Sequence, residues 1–399
     1  MKVYILTGEP FPNGMAATNR IKCYARAIKE GGLDCEVIIF RRTEPYGKEP
    51  KNTVGQGLFN NIPFHYVGKT PLRGSNVISR KVNDRIDILH TEKYLSKHLT
   101  GGDVLFMYMG EYVELMLRFM KVAQKCGAFC VRDLCELPYG TGAETKDTIR
   151  LRKKTLEHQL PKLDGVVSIS DALLNLAKTY TLPTCKHLKV PIMVEFEEHY
   201  LSDKSKESDY PYIFHSGTLY QQKDGILGMI EAFGMALSKT GLQIKFISTG
   251  DPNMSPHKDE INALIAKYHL ENHIFFTGYI SDNKLNEFLS KAKMVIINKY
   301  NTQQNHYCFS TKLGEYLAAA KPVVITNVGE AINWLENGKS AYIIDVENTK
   351  AMADAIVHIL TNPDESRQIG IEGQKVCLHN FDYRNWSKPL VEFMNQLGK

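Results

Sequence analysis

Short apolar runs alternate with helix-patterned segments along the chain, and the alternation starts twice. Lys2 to Gly8, Cys35 to Phe40, Asp103 to Met109, Ala128 to Asp133 and Gly165 to Ser170 are predominantly apolar over strand lengths. Between them lie amphipathic segments. In Thr18 to Glu30, Ile21, Tyr24, Ala25 and Ile28 share one face and Gly31-Gly32 marks the stop. Strands apolar on both faces, separated by helices, imply a parallel sheet covered on both sides. The polar stretch Leu201 to Tyr210 (LSDKSKESDY) reads as a linker. The pattern then resumes with strands Tyr212–His215, Ile244–Thr249, Ile274–Thr277, Met294–Asn298, Pro322–Thr326 and Ala341–Asp345. Helices Gly225–Leu237, Leu285–Ala292, Thr311–Ala320 and Met352–Leu360 fall between these, and Asp364 to Lys399 is largely helical in pattern. The 399 residues exceed one comfortable core. The expected fold is therefore α/β, with two doubly wound domains of similar size. Such sheets bind ligands beyond the carboxyl ends of their strands, so functional residues are expected just after strands.

Composition excludes several classes. A formal charge of +5 is too mild to announce nucleic acid, though it suits anionic ligands or anionic lipid. No apolar run reaches the ~18 residues of a membrane-spanning helix, and the apolar start Met1 to Leu6 is too short for a secretory signal. The eight cysteines form no C-x-x-C pair, so a reduced, cytoplasmic protein without structural zinc is expected.

Four constellations follow strands. Gly8 to Arg20 places Gly14, Ala16 and Ala17 at a helix start, either to let a ligand phosphate approach the backbone or simply to turn the chain. The G-x-G-x-x-G fingerprint is absent, which disfavours a nicotinamide cofactor. Asp133 and Glu136 close another strand, where carboxylates bind sugar hydroxyls, act as a base, or stay solvated. Ser216-Gly217-Thr218 precedes Lys223-Asp224-Gly225, and Lys223 before a helix suits a phosphate. Finally, a helix opening at Ser310-Thr311-Lys312 leaves free N–H groups for a diphosphate. Glu315 lies on the same face as Thr311, placed to accept from a ribose diol.

Taken together, these residues resemble the GT-B glycosyltransferases, specifically the retaining family 4 type, over essentially the whole chain. The resemblance rests on Lys312 to Val324 (KLGEYLAAAKPVV), on Ser216-Gly217 with Lys223-Asp224-Gly225, and on Asn327-Val328-Gly329-Glu330 with the following ENGKSAYIIDV. It implies two Rossmann-like domains facing a cleft: residues 1–200 on the acceptor side, 201–381 holding the nucleotide sugar, and a helix in 382–399 crossing back. It further implies that Glu315 holds the ribose, that the amides of Ser310, Thr311 and Lys312 meet the distal phosphate, and that Lys223 neutralises the leaving diphosphate. Gly217 and Thr218 would flank the donor, Tyr279 would lie by the base, Gly14 would approach the donor, and Asp133 would lie near the transferred sugar. Two positions depart from the family. Tyr307 stands eight residues before Glu315, where a second glutamate is usual, and Thr218 stands five before Lys223, where an arginine is usual. Lys312 or Arg20 is the expected replacement for that positive charge.

The implied reaction moves a sugar from a nucleotide-diphosphate donor to an acceptor hydroxyl, in glycan or polysaccharide assembly. Retention is expected by analogy, and metal independence because no Asp-x-Asp stands at a strand end. No cofactor is expected beyond the nucleotide sugar, which is a co-substrate. The acceptor is expected to be a glycan or a lipid-linked sugar. Basic groups at Arg41-Arg42, Arg80-Lys81 and Arg150 to Lys154, the last opening an amphipathic helix, suit peripheral contact with the inner membrane face or are merely solvated. The alternatives are a sugar-nucleotide epimerase of the same fold and a non-catalytic nucleotide-sugar-binding subunit.

Overall fold

The computed structural model describes residues 1–140, 144–196 and 210–399. The linker read at 201–210 lies outside the described residues but for Tyr210. The chain divides into two compact units, Met1–Glu195 with Tyr383–Lys399, and Phe196–Asp382.

The first unit opens with β1 (Lys2–Thr7), α1 (Ala16–Glu30), β2 (Asp34–Ile39), β3 (Gln56–Phe59) and β4 (Ile62–Tyr66). It continues with α2 (Val77–His98), β5 (Val104–Tyr108), α3 (Val113–Lys125), β6 (Phe129–Leu134), α4 (Lys146–Lys154), β7 (Gly165–Ser168), α5 (Asp171–Tyr180) and β8 (Lys186–Lys189). The sheet order is β3-β4-β2-β1-β5-β6-β7-β8. It is parallel except for β3, which pairs antiparallel with β4. That hairpin turns on Asn60 and Asn61, with φ of 47° and 62°. Asparagine tolerates this left-handed conformation, which matches the twist of a two-residue hairpin. Val3, Ile5, Val37, Ile39, Val104, Phe106 and Val131 fill the sheet and are buried.

The second unit runs β9 (Tyr212–His215), the short α6 (Gln221–Asp224), α7 (Ile226–Thr240), β10 (Lys245–Ser248), α8 (Lys258–Lys267), β11 (Ile274–Phe276), α9 (Asp282–Lys291) and β12 (Met294–Ile297). After these come α10 (Gln303–Tyr307), α11 (Thr311–Ala318), β13 (Val323–Thr326), β14 (Tyr342–Ile344), α12 (Thr349–Thr361) and α13 (Pro363–Asn380). The order β11-β10-β9-β12-β13-β14 is wholly parallel. The strand order reverses between β9 and β12, the place where doubly wound sheets bind ligands. Both units thus have the doubly wound parallel architecture that the alternating pattern implies.

The last helix, α14 (Ser387–Asn395), belongs to the first unit. Tyr383, Leu390, Phe393, Met394 and Leu397 join its core with Ile21, Tyr24 and Ile28 of α1. The Tyr383 hydroxyl donates to Glu30 at 2.6 Å. At Gly31, an added Cβ would lie 2.5 Å from Val391, so a side chain there would push α14 from its seat.

One expectation about charge is corrected. Arg150 to Lys154 closes α4 rather than opening a helix. Its charges are engaged: Arg152 with Glu144, Lys154 with Glu114, Arg150 with Asp147 and Lys153 with Glu157. Among the described residues no helix is long and apolar enough to cross a membrane.

Candidate functional site

The site in the second unit is built on β9 and its neighbours. Beyond His215 the chain crosses the sheet edge as Ser216-Gly217-Thr218. The Tyr316 hydroxyl of α11 accepts from the Ser216 amide at 2.8 Å, and Thr249 Oγ1 accepts from the Gly217 amide at 3.1 Å. Gly217 has no room for a side chain: an added Cβ would lie 2.4 Å from His215 Nε2 and 3.0 Å from the Asp224 carboxyl. His215 is buried, and its Nδ1 lies 3.0 Å from the Ile296 carbonyl, so Nδ1 is the donor. Burial, and then Lys312, push its pKa down to about 4.

Asp224 is the hub. It is buried, and one carboxylate oxygen accepts from Thr218 twice, from the amide at 2.8 Å and from Oγ1 at 2.9 Å. The other oxygen pairs with Lys312 Nζ. Burial alone would raise its pKa, but Lys312 and these hydrogen bonds hold it well below the carboxylate range. Burial lowers the Lys312 pKa from its ordinary value, with Asp224 opposing, and 24% of the Lys312 side chain stays exposed. Thr218 therefore does not leave a hole where an arginine was expected: it fastens Asp224, which holds Lys312.

Lys223 lies within the short α6, three residues before α7 as expected, and is exposed. Gly225 ends α6 with φ of 63°, and Asn298 donates to its carbonyl at 2.8 Å. An added Cβ at Gly225 would meet Asn298 at 2.6 Å, so the break between α6 and α7 requires glycine on both counts. Lys299, just beyond β12, donates to the Lys223 carbonyl at 3.1 Å. Three lysines thus converge near one aspartate: the charges of Lys299 and Lys223 both reach Lys312. The sequence reading missed Lys299 and the role of Asp224. The position of Lys299 directly after an apolar strand is the signal that marks it.

Helix α11 begins at Thr311, and Ser310 at its cap makes no side-chain cap hydrogen bond. Among the described residues no side chain caps its first N–H groups. Glu315 is half-buried, yet its carboxyl is poor enough in water that burial, and then the charge of Asp282, push its pKa up to about 7. Asp282 opens α9, and Tyr279, three residues before it, is 68% exposed. Tyr307 ends α10, half-buried, three residues before Ser310. The structure thus brings Gly217, Thr218, Lys223, Ser310, Thr311, Lys312 and Glu315 to one end of this sheet.

The first unit is different. Asp133 is enclosed, with none of its side chain exposed. It accepts from Arg20 at 3.1 Å and from the Tyr24 hydroxyl at 2.5 Å. Arg20 also donates to the carbonyls of Pro191 at 2.6 Å and Val190 at 3.0 Å. This corrects two expectations. Arg20 is spent inside its own unit and supplies no free positive charge, and Asp133 has no surface to offer a sugar. Gly14 precedes α1, where an added Cβ would collide with Thr18. Near these strand ends stand the half-buried Glu9 and Arg41 and the exposed Glu136. Burial, and then Glu136, raise the Glu9 pKa, while Arg41 opposes them. Arg41 is also hydrogen-bonded to the Tyr112 hydroxyl. None of these was singled out in sequence except Glu136, as the neighbour of Asp133, and Arg41, as a basic group. Among the described residues no cluster of three His, Cys, Asp or Glu is placed to hold a metal ion.

Residues 197–376 match the model of the family described as glycosyl transferases group 1. No curated protein matches the chain in sequence. Solved structures match over its full length. Sucrose-phosphate synthase from Thermosynechococcus elongatus is 16% identical with a TM-score of 0.73, covering 100% of this chain and 99% of that one. S. aureus TarM, solved with fondaparinux, α-GlcNAc-glycerol and UDP, is 11% identical with a TM-score of 0.71, covering 99% and 100%. Anabaena HepE, solved with UDP and glucose, is 13% identical with a TM-score of 0.69, covering 100% of both chains. Residues 197–376 are thus similar to the group 1 glycosyl transferases, and the chain over its whole length has the GT-B fold of the solved structures that it matches.

Proposed function

We propose that the chain is a glycosyltransferase moving a sugar from a nucleoside diphosphate donor to a hydroxyl of a glycan or lipid-linked acceptor, in glycan or polysaccharide assembly. The observation that carries this is the convergence of Lys223, Lys299 and Lys312 at the start of α11 with a single aspartate as counter-charge. The leaving diphosphate gains negative charge in the transition state, and fixed cations and free amides aimed at it stabilise that state more than the ground state. In this reading the first amides of α11 and Lys312 hold the distal phosphate, and Lys223 and Lys299 neutralise the diphosphate as it leaves. Glu315 accepts from the ribose diol, Tyr279 lies by the base, and Tyr307 shapes the sugar pocket. Gly217 keeps the donor path open. On the acceptor side, Glu9 and Arg41 with Gly14 nearby in sequence take the place assigned to Asp133.

The donor is proposed to be a UDP sugar, the nucleotide found with HepE and TarM. Transfer is proposed to proceed without a metal ion, because the lysines supply the positive charge, and with retention, the leaving phosphate taking the acceptor proton. Incubation with UDP sugars and a mixed acceptor panel, in excess chelator, is expected to yield a glycosylated product with the donor's anomeric configuration by NMR. Lys223→Ala and Lys299→Ala are each expected to lower kcat by about 100-fold. Loss of all activity in chelator would remove the metal-free mechanism. An epimerised donor with no transfer product would remove the transferase reading.

A further inference from the structure

Helix α2 is turned against the usual pattern. A surface helix normally buries its apolar face and exposes its polar one. In α2 the buried residues are Asp87, Thr91 and Leu95. Asp87 accepts from Arg42 at 3.2 Å and Thr91 donates to the Asp87 carbonyl at 2.7 Å. On the opposite side Ile78, Leu89, Val82 and Ile86 are 76%, 59%, 49% and 40% exposed. At about 100° per residue these four fall within an arc of about 80°, along roughly 16 Å of helix. Exposed large aliphatic residues in a continuous stripe mark a docking surface.

The flanking charge says what docks. Lys81, Arg85 and Lys93 border the stripe, are exposed, and make no ion pair among the described residues. The two acids nearest in sequence to these groups that could offset them are engaged or turned away. Glu92 is held by Arg118 at 2.8 Å, and Asp84 projects about 150° from the stripe's centre. A second copy of the same face would set lysines and arginines against their own kind, which disfavours self-association. An anionic lipid surface satisfies both features, since the aliphatic side chains enter the headgroup boundary while the basic ones meet lipid phosphates.

We propose that α2 lays its outer face on an anionic membrane surface. This does not rest on the donor chemistry and holds whatever the chain transfers. The test is co-sedimentation of the full chain with phosphatidylglycerol–phosphatidylcholine vesicles and with phosphatidylcholine alone, at low and high salt. Binding is expected with the anionic vesicles, weakened by salt. Lys81→Gln with Arg85→Gln is expected to reduce it about 30-fold, and Ile78→Ser with Leu89→Ser to abolish it. Both pairs lie on an exposed face, so melting temperature is expected to stay unchanged and certifies the fold. As a second readout, Ile78→Trp is expected to show blue-shifted emission on anionic vesicles. Failure to sediment, equal binding to neutral vesicles, or binding that both double variants keep would overturn the proposal. So would a dimer that Ile78→Ser with Leu89→Ser converts to monomer in the absence of vesicle binding.

Discussion

Glu315 carries two opposed demands, and pH separates them. Its pKa rises from 4.5 to about 7 because burial, and then Asp282, disfavour the charged form. At pH below 4.5 the carboxyl is neutral in both folded and unfolded chains. Between 4.5 and 7 the folded chain keeps a proton that the unfolded chain has released, so stability falls as pH rises, and the full cost of a buried charge is reached above 7. A ribose diol, by contrast, donates to the ionised form. Donor affinity is thus expected to rise through pH 7 while the stability of the free protein declines. Thermal midpoints and UDP titrations from pH 5.5 to 8.5 would show both trends, and Glu315→Gln is expected to flatten both. At this scale Glu315, Lys312 and Lys223 were legible because they sit at a helix start or between glycines. Asp224 and Lys299 were not, because a linear chain does not say which charges meet across strands. Asp133 and Arg20 read as site residues for the same reason: each stands at the right end of an element, and only their mutual ion pair 113 residues apart reveals that they face inward.

At the level of elements, α2 is held at its entry by a capping box: Asn76 accepts from the Ser79 amide at 2.8 Å and Ser79 Oγ accepts from the Asn76 amide at 3.2 Å. With so little apolar burial of its own, the helix relies on this cap more than most do. Asn76→Ala is expected to cost about 1 kcal/mol, seen as faster amide hydrogen exchange through its first turns. The central strands were read to within a residue or two, since a parallel strand buried on both faces is an uninterrupted apolar run with polar ends. The β3–β4 hairpin was not read, although Asn60-Asn61 between Leu58-Phe59 and Ile62 is a turn signal. Its strands are short and only partly apolar, β3 forms the sheet edge, and Pro63 argues against a strand by propensity. No bounds were assigned to α2 either, because its apolar residues look outward and mark no core.

For the molecule as a whole, the division of the chain does not follow its order. Phe393 is buried in the first unit, with a ring atom 2.7 Å from where a Cβ would stand on Gly165. Phe393→Ala is expected to destabilise that unit by about 3–5 kcal/mol while leaving UDP affinity unchanged, as chemical denaturation and calorimetric titration would show. The helical pattern of the tail was legible, whereas its partner in space was not, since a buried stripe of Leu390, Phe393, Met394 and Leu397 fits any apolar face. The same arrangement sets a timetable for synthesis. Tyr383 follows Glu195 by 188 residues, so at typical elongation rates roughly 10–40 s separate the last strand of the first unit from the helix that covers its core. The second unit can finish folding within that interval. The part begun first is completed last, and until then the side of α1 that α14 covers stays open to solvent.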